Sequence, residues 1–132
     1  MAGEIKMADG VKCACEAAIV GLYACAGACN VGQMANKVAV ELTKKGKGKM
    51  MCTVGIGGGV PGIIKSTEGT DEIIAIDGCA LVCAKKTLER AGFTVDKSIV
   101  ITEFGMKKEG KLDLEETEVN DIIAKVENAL VN

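Results

Sequence analysis

Apolar residues fall along this chain in short continuous runs separated by stretches of helical period. Residues 18–25 (Ala-Ile-Val-Gly-Leu-Tyr-Ala-Cys) form one unbroken apolar run, the pattern of a strand covered on both faces. Gly27 interrupts it, and Asn30 with Gln33 three residues later reads as a capping-box helix start. Val31, Met34, Ala35, Val38 and Leu42 then recur at helical spacing up to Gly46, with Lys44 and Lys45 in the last turn. Residues 49–55 predict a second strand. A glycine-rich loop (Gly55, Gly57, Gly58, Gly59) and a short helix over 61–66 follow it. Ile73, Ile74 and Ile76 build a third strand over 72–77. Gly78 turns the chain into a helix over 80–91, whose apolar face is Leu81, Ala84, Leu88 and Ala91. Residues 98–104 predict a fourth strand. Asp113 with Glu116 offers a further cap, after which Val119, Ile122, Ile123, Val126 and Leu130 stripe a final helix.

Strand and helix signals therefore alternate four times. Such alternation predicts an α/β fold: a single-domain three-layer sandwich, with a four-stranded parallel sheet and helices on both faces. Residues 17–132 read as that domain and residues 1–16 as an N-terminal arm. The length of 132 residues suits one domain with a real core. Aromatics make up only 2% of the chain, so the core must be aliphatic.

Charge narrows the partners. The net charge is −2 and Arg90 is the only arginine, against the basic face that nucleic-acid binding requires. The basic run Lys44, Lys45, Lys47, Lys49 follows a helix end, where cations suit the dipole, and reads as a solvated turn. Residues 17–36 carry no charge, but Asn30, Gln33 and Asn36 make them a poor membrane span. Leu22-Tyr23-Ala24-Cys25 resembles a lipoprotein cleavage box only superficially, because Glu4, Asp9 and Glu16 stand where a basic leader belongs. The expectation is a cytoplasmic protein with no membrane partner.

Seven cysteines and no histidine then change the picture. A reducing compartment gives such a chain little use for disulfides, so clustered thiols suggest metal or redox chemistry. Cys25 ends the first predicted strand and Cys29 opens the first helix. Cys79 follows the third strand, and Cys83 lies one helical turn further on. In a parallel sheet these segments meet beyond the carboxyl ends of the strands, where ligands bind. Two helix N-termini point there as well, which favours thiolates. Cys52 falls within the predicted second strand, roughly 10 Å back from the glycine loop, and could equally be a packed apolar residue. Cys13 and Cys15 lie on the arm and are possible additional ligands. Asp77 is either a ligand or the cap of the next helix.

Several stretches resemble one family. These are Cys25-Ala-Gly-Ala-Cys-Asn-Val-Gly-Gln, Gly48-Lys-Met-Met-Cys, Gly55-Ile-Gly-Gly and, above all, Ala75-Ile-Asp-Gly-Cys-Ala-Leu-Val-Cys-Ala-Lys-Lys-Thr-Leu-Glu-Arg-Ala-Gly-Phe. They are similar to the DGC-domain family, named after the motif present here as Asp77-Gly78-Cys79. The resemblance runs from about residue 18 to 106 and implies zinc bound through Cys25, Cys52, Cys79 and Cys83. It also implies an upstream pair matching Cys13 and Cys15, and it makes Cys29 an extra thiol. It supplies no reaction, so whether the protein is an enzyme stays open.

Three chemistries compete. The first is a zinc site, with an iron–sulfur cluster as its metal-class variant. The second is a thiol enzyme: a disulfide exchanger, or a relative of low-molecular-weight phosphatases by the likeness of residues 25–29 to their phosphate loop. The arginine those loops require is absent here. The third is nucleotide binding by residues 55–62, which a P-loop would continue with a lysine and a hydroxyl residue. Ile63 and Ile64 stand there instead, so the segment reads as a glycine-rich turn.

Overall fold

Four parallel strands lie in the order β2-β1-β3-β4 in a computed structural model that describes residues 18–131. The 1–16 arm, with Cys13 and Cys15, lies outside the described residues. Strand β1 (Val20–Ala24) occupies the centre and pairs with β3 (Glu72–Asp77) over its full length, from Val20 against Glu72 to Ala24 against Ile76. On its other side β1 pairs with β2 (Lys49–Met50), and β3 pairs with β4 (Lys97–Val100). The sheet is all parallel, as the alternation of elements predicts.

The helices cover both faces. Helix α1 (Asn30–Lys44) and helix α5 (Glu116–Val131) pack on one face against Leu22, Ala24, Ile74, Ile76 and Ile99. Helices α2 (Thr53–Gly57), α3 (Pro61–Glu68) and α4 (Cys83–Arg90) cover the other, which presents Tyr23, Ile73 and Ala75. Successive residues of a strand point to opposite faces, so the continuous apolar runs of β1 and β3 feed both cores. Tyr23 is the large residue of the second face, and its buried hydroxyl donates to Thr67 Oγ1 at 2.8 Å.

Four local expectations require correction. The second strand stops at Met50 instead of running to residue 55, and the glycine-rich segment winds into α2. Helix α4 begins at Cys83 and not at residue 80, so Leu81 is exposed rather than on its apolar face. The fourth strand ends at Val100 and continues as a 3-10 turn over Ile101–Phe104. Asn30 is not a helix cap: Cys29 holds that position, and Asn30 is the first helical residue.

The order β2-β1-β3-β4 sends the chain outward in opposite directions from β1 and β3. Between their carboxyl ends lies the crevice where open α/β sheets bind ligands. No helix among the described residues is long and apolar enough to cross a membrane.

Candidate functional site

Each of the three adjacent strands β2, β1 and β3 runs out into a cysteine at the carboxyl edge. Cys25 directly follows β1, Cys52 lies two residues beyond the end of β2, and Cys79 lies two residues beyond β3. The shortened β2 matters here. Met50 pairs with Leu22, so Cys52 falls at the edge rather than back along a strand.

Glycine packing draws two of these segments together. A Cβ on Gly78 would lie 2.7 Å from the backbone of Val31 and Gly32, and one on Gly32 would lie 2.7 Å from the backbone of Gly27. Real Cβ atoms do not approach that closely, so only glycine lets the turn after β3 rest on the loop and first turn of α1. The Gly78 carbonyl also accepts from the Thr102 amide at 3.1 Å, which ties the turn to the 3-10 segment.

Asp77 shapes the next turn. It is fully buried, and its two carboxylate oxygens accept from the Ala84 and Lys85 amides at 2.6 and 3.1 Å. Of the two roles open to it in the sequence, it fills that of helix cap. Burial pushes its carboxyl above the usual range, partly opposed by those amides. Between Cys79 and Cys83 the chain makes a turn closed by the Val82 amide on the Cys79 carbonyl, 3.1 Å. Val82 sits there at φ 45 and ψ 52, a left-handed conformation that a β-branched residue adopts only under strain.

The thiols differ in their surroundings. Cys25 is half-buried against amides of Gly27 and Gly78, and burial pushes its thiol above the ordinary value. The neighbouring amides act to lower it, but desolvation outweighs them. Cys83 is exposed and lines one apolar groove with Cys25. Cys52 is exposed and accepts from the Gly55 amide at 3.3 Å, capping α2. Cys79 accepts from Lys108 Nζ at 3.4 Å, and that contact, with the nearby Cys29 and Cys83 thiols, raises the Lys108 ammonium's pKa.

Lys108 and Asn30 carried no signal in the sequence as parts of this edge. Asn30 is buried and clasps a distant segment: its Nδ2 donates to the Lys107 carbonyl at 2.8 Å, its Oδ1 accepts from the Glu109 amide at 2.6 Å, and its own amide donates to the Glu109 carbonyl at 3.0 Å. This clasp holds Lys108 over Cys79. Asn30 and Glu109 lie 79 residues apart, and the stretch around Lys108 has no periodicity, so no local pattern links them.

An all-thiol donor set at one edge fits a soft ion such as zinc in kind and in placement. It is not a preassembled cage. Among the described residues, no three cysteine, aspartate or glutamate side chains converge closely enough to hold one ion. Cys52 is engaged with α2, Cys79 with Lys108, and Asp77 with α4.

Comparison with known proteins bears on the edge as a whole. A family model described as "DGC domain" matches residues 21–126. The chain is also 33% identical over 109 residues to "Anaerobic and virulence modulator AnvM" of Pseudomonas aeruginosa, covering 83% of each chain. No solved structure shows significant similarity.

Proposed function

The chain belongs to the DGC-domain family, and from that premise we propose that it is a zinc-binding protein whose ligands are Cys25, Cys79 and Cys83, with Cys52 as the fourth. The observation that supports this reading most is the placement of those cysteines beyond the carboxyl ends of three neighbouring strands. Binding would draw these thiols together in exchange for the Cys52 and Cys79 hydrogen bonds. Zinc would offset part of the charge of the thiolates and would hold the loops that carry them. The role is that of a binding or regulatory protein in a cytoplasmic setting. The relative's name speaks of anaerobic modulation, and a thiol-ligated metal suits a compartment that keeps thiols reduced.

Elemental analysis of untagged protein kept reduced throughout should show about one zinc per chain, falling in acid because the ligands must be deprotonated. Neither zinc nor iron in such a sample would overturn the reading, and a brown protein containing iron would replace zinc by an iron–sulfur cluster. Cys79→Ser and Cys83→Ser should each lose the metal and Cys29→Ser should retain it. Cys52→Ala tests whether the fourth ligand is needed. Equal loss in all four variants would refute the assignment.

The observation that favours a second reading, thiol–disulfide chemistry, is the groove shared by Cys25 and Cys83. A phosphatase reading has less support, because the loop over residues 25–29 carries no arginine to hold an oxyanion.

A further inference from the structure

One face of α4 carries Cys83, Thr87 and Arg90, spaced four and three residues apart and therefore aligned. That face borders two adjoining cavities. The first, about 570 Å³, contains Cys25 and Cys83. The second, about 490 Å³, contains Arg90. Gly57, Gly58 and Thr87 line both, so the two form a continuous groove between α2 and α4. Its dimensions are those of a small-molecule site. Thiols stand at one end and the only arginine of the chain at the other. Arg90 lies seven positions along the helix from Cys83, about 10 Å at 1.5 Å per residue.

The floor of the groove is glycine backbone from the end of α2, which leaves room beside α4. A Cβ on Gly57 would already touch Thr87 Cγ2 at 3.5 Å. Val54, 82% exposed, supplies an apolar wall. Thr53, on the same groove, holds the one buried side-chain oxygen without a hydrogen-bond partner among the described residues. Among the described residues no carboxylate lies within ion-pair distance of Arg90, so its guanidinium is available to an anion.

We propose that this groove binds a low-molecular-weight peptide thiol or its disulfide, with a carboxylate on Arg90 and the sulfur at Cys83. The chemistry is thiol–disulfide exchange. The Cys83 thiol gives up its proton to solvent, and its sulfur attacks one sulfur of the ligand disulfide. The ligand's S–S bond breaks as the Cys83–ligand S–S bond forms, and the other half leaves as a thiolate that takes a proton from solvent. Cys83 is oxidised and the departing half is reduced. Cys25, in the same groove, can then attack the mixed disulfide, releasing the second half as a thiol and leaving a Cys25–Cys83 disulfide.

The inference stands apart from the metal reading but shares two of its thiols, so metal content is measured on the same sample. The protein as purified is treated with oxidised glutathione, which carries carboxylates, and separately with hydroxyethyl disulfide, which carries none. Adducts are followed by intact mass and located by peptide mapping. Oxidised glutathione should modify Cys83 first, and Arg90→Gln should slow that reaction about fivefold to tenfold while leaving the neutral disulfide unaffected. In Cys25→Ser the mixed disulfide should accumulate. Equal rates in wild type and Arg90→Gln, or first modification at Cys29, Cys52 or Cys79, would overturn the proposal. Retained zinc with no Cys83 adduct would overturn it and leave the metal reading standing. An Arg90-dependent adduct on protein free of zinc and iron would do the reverse.

Discussion

The two faces of the sheet divide the work of this protein. On one, two long helices, α1 and α5, close over an aliphatic layer that includes Leu22, Met34, Val38, Leu42, Ile76, Ile122 and Val126, nearly all without solvent exposure. On the other, three short helices cover a smaller core around Tyr23, Ile56 and Leu88. They leave a groove open between α2 and α4. The first face contributes stability and the second gives access to Cys25 and Cys83. Short helices make this possible: five and eight residues cannot cover a strand edge as fifteen or sixteen can.

If that division holds, large-to-small substitutions should separate the faces. Leu42→Ala should cost about 4 kcal/mol and Leu88→Ala about 2–3 kcal/mol, because the smaller core beside an open groove relaxes more easily. Denaturant unfolding measures both, and a larger loss for Leu88→Ala would reverse the comparison.

At the edge where the faces meet, Gly78→Ala forces a methyl onto the backbone of α1 and should cost about 1–3 kcal/mol. It should also loosen the hold on Cys79, read as faster amide exchange over residues 77–83 than in α5. Uniform loss of protection would mean that the glycine contact supports the whole fold rather than the edge.

A smaller effect is expected for Tyr23→Phe on the groove face. It leaves Thr67 Oγ1 without its partner and should cost about 1 kcal/mol. Val82→Gly should change stability by less than about 1 kcal/mol in either direction, since relief of the left-handed strain offsets the entropy of glycine. A loss as large as that of Leu88→Ala would show that the Val82 side chain packs more than its backbone is strained.

The smallest effect is expected on the solvent side of α1. Ion pairs to Lys37 and Lys44 hold the Glu41 carboxyl below its ordinary range. A depressed carboxyl contributes stability above its unfolded pKa and loses it as pH falls through its folded value. Glu41→Gln should therefore be slightly less stable than wild type at neutral pH and equal to it in strong acid. A difference that persisted in acid would assign the effect to packing.

Periodicity determined the class of this fold. Continuous apolar runs bounded by turn residues read as strands covered on both sides, and helical stripes between them require crossovers, so the parallel sheet, both helical faces and the bounds of β3 were legible from residue order. The motif residues also placed Cys25 and Cys79 at the carboxyl edge and marked the family. Tertiary structure decided the rest. It ended β2 at Met50 and so moved Cys52 to the edge, turned Asp77 into a cap, set Asn30 to clasp residues 107–109, and laid Lys108 on Cys79. It also aligned Cys83 and Arg90 along one groove. Strand and helix patterns arise from neighbours a few residues apart, which a sequence displays directly. A side chain's partner across 29 or 79 residues depends on how whole elements pack, and no local pattern encodes it.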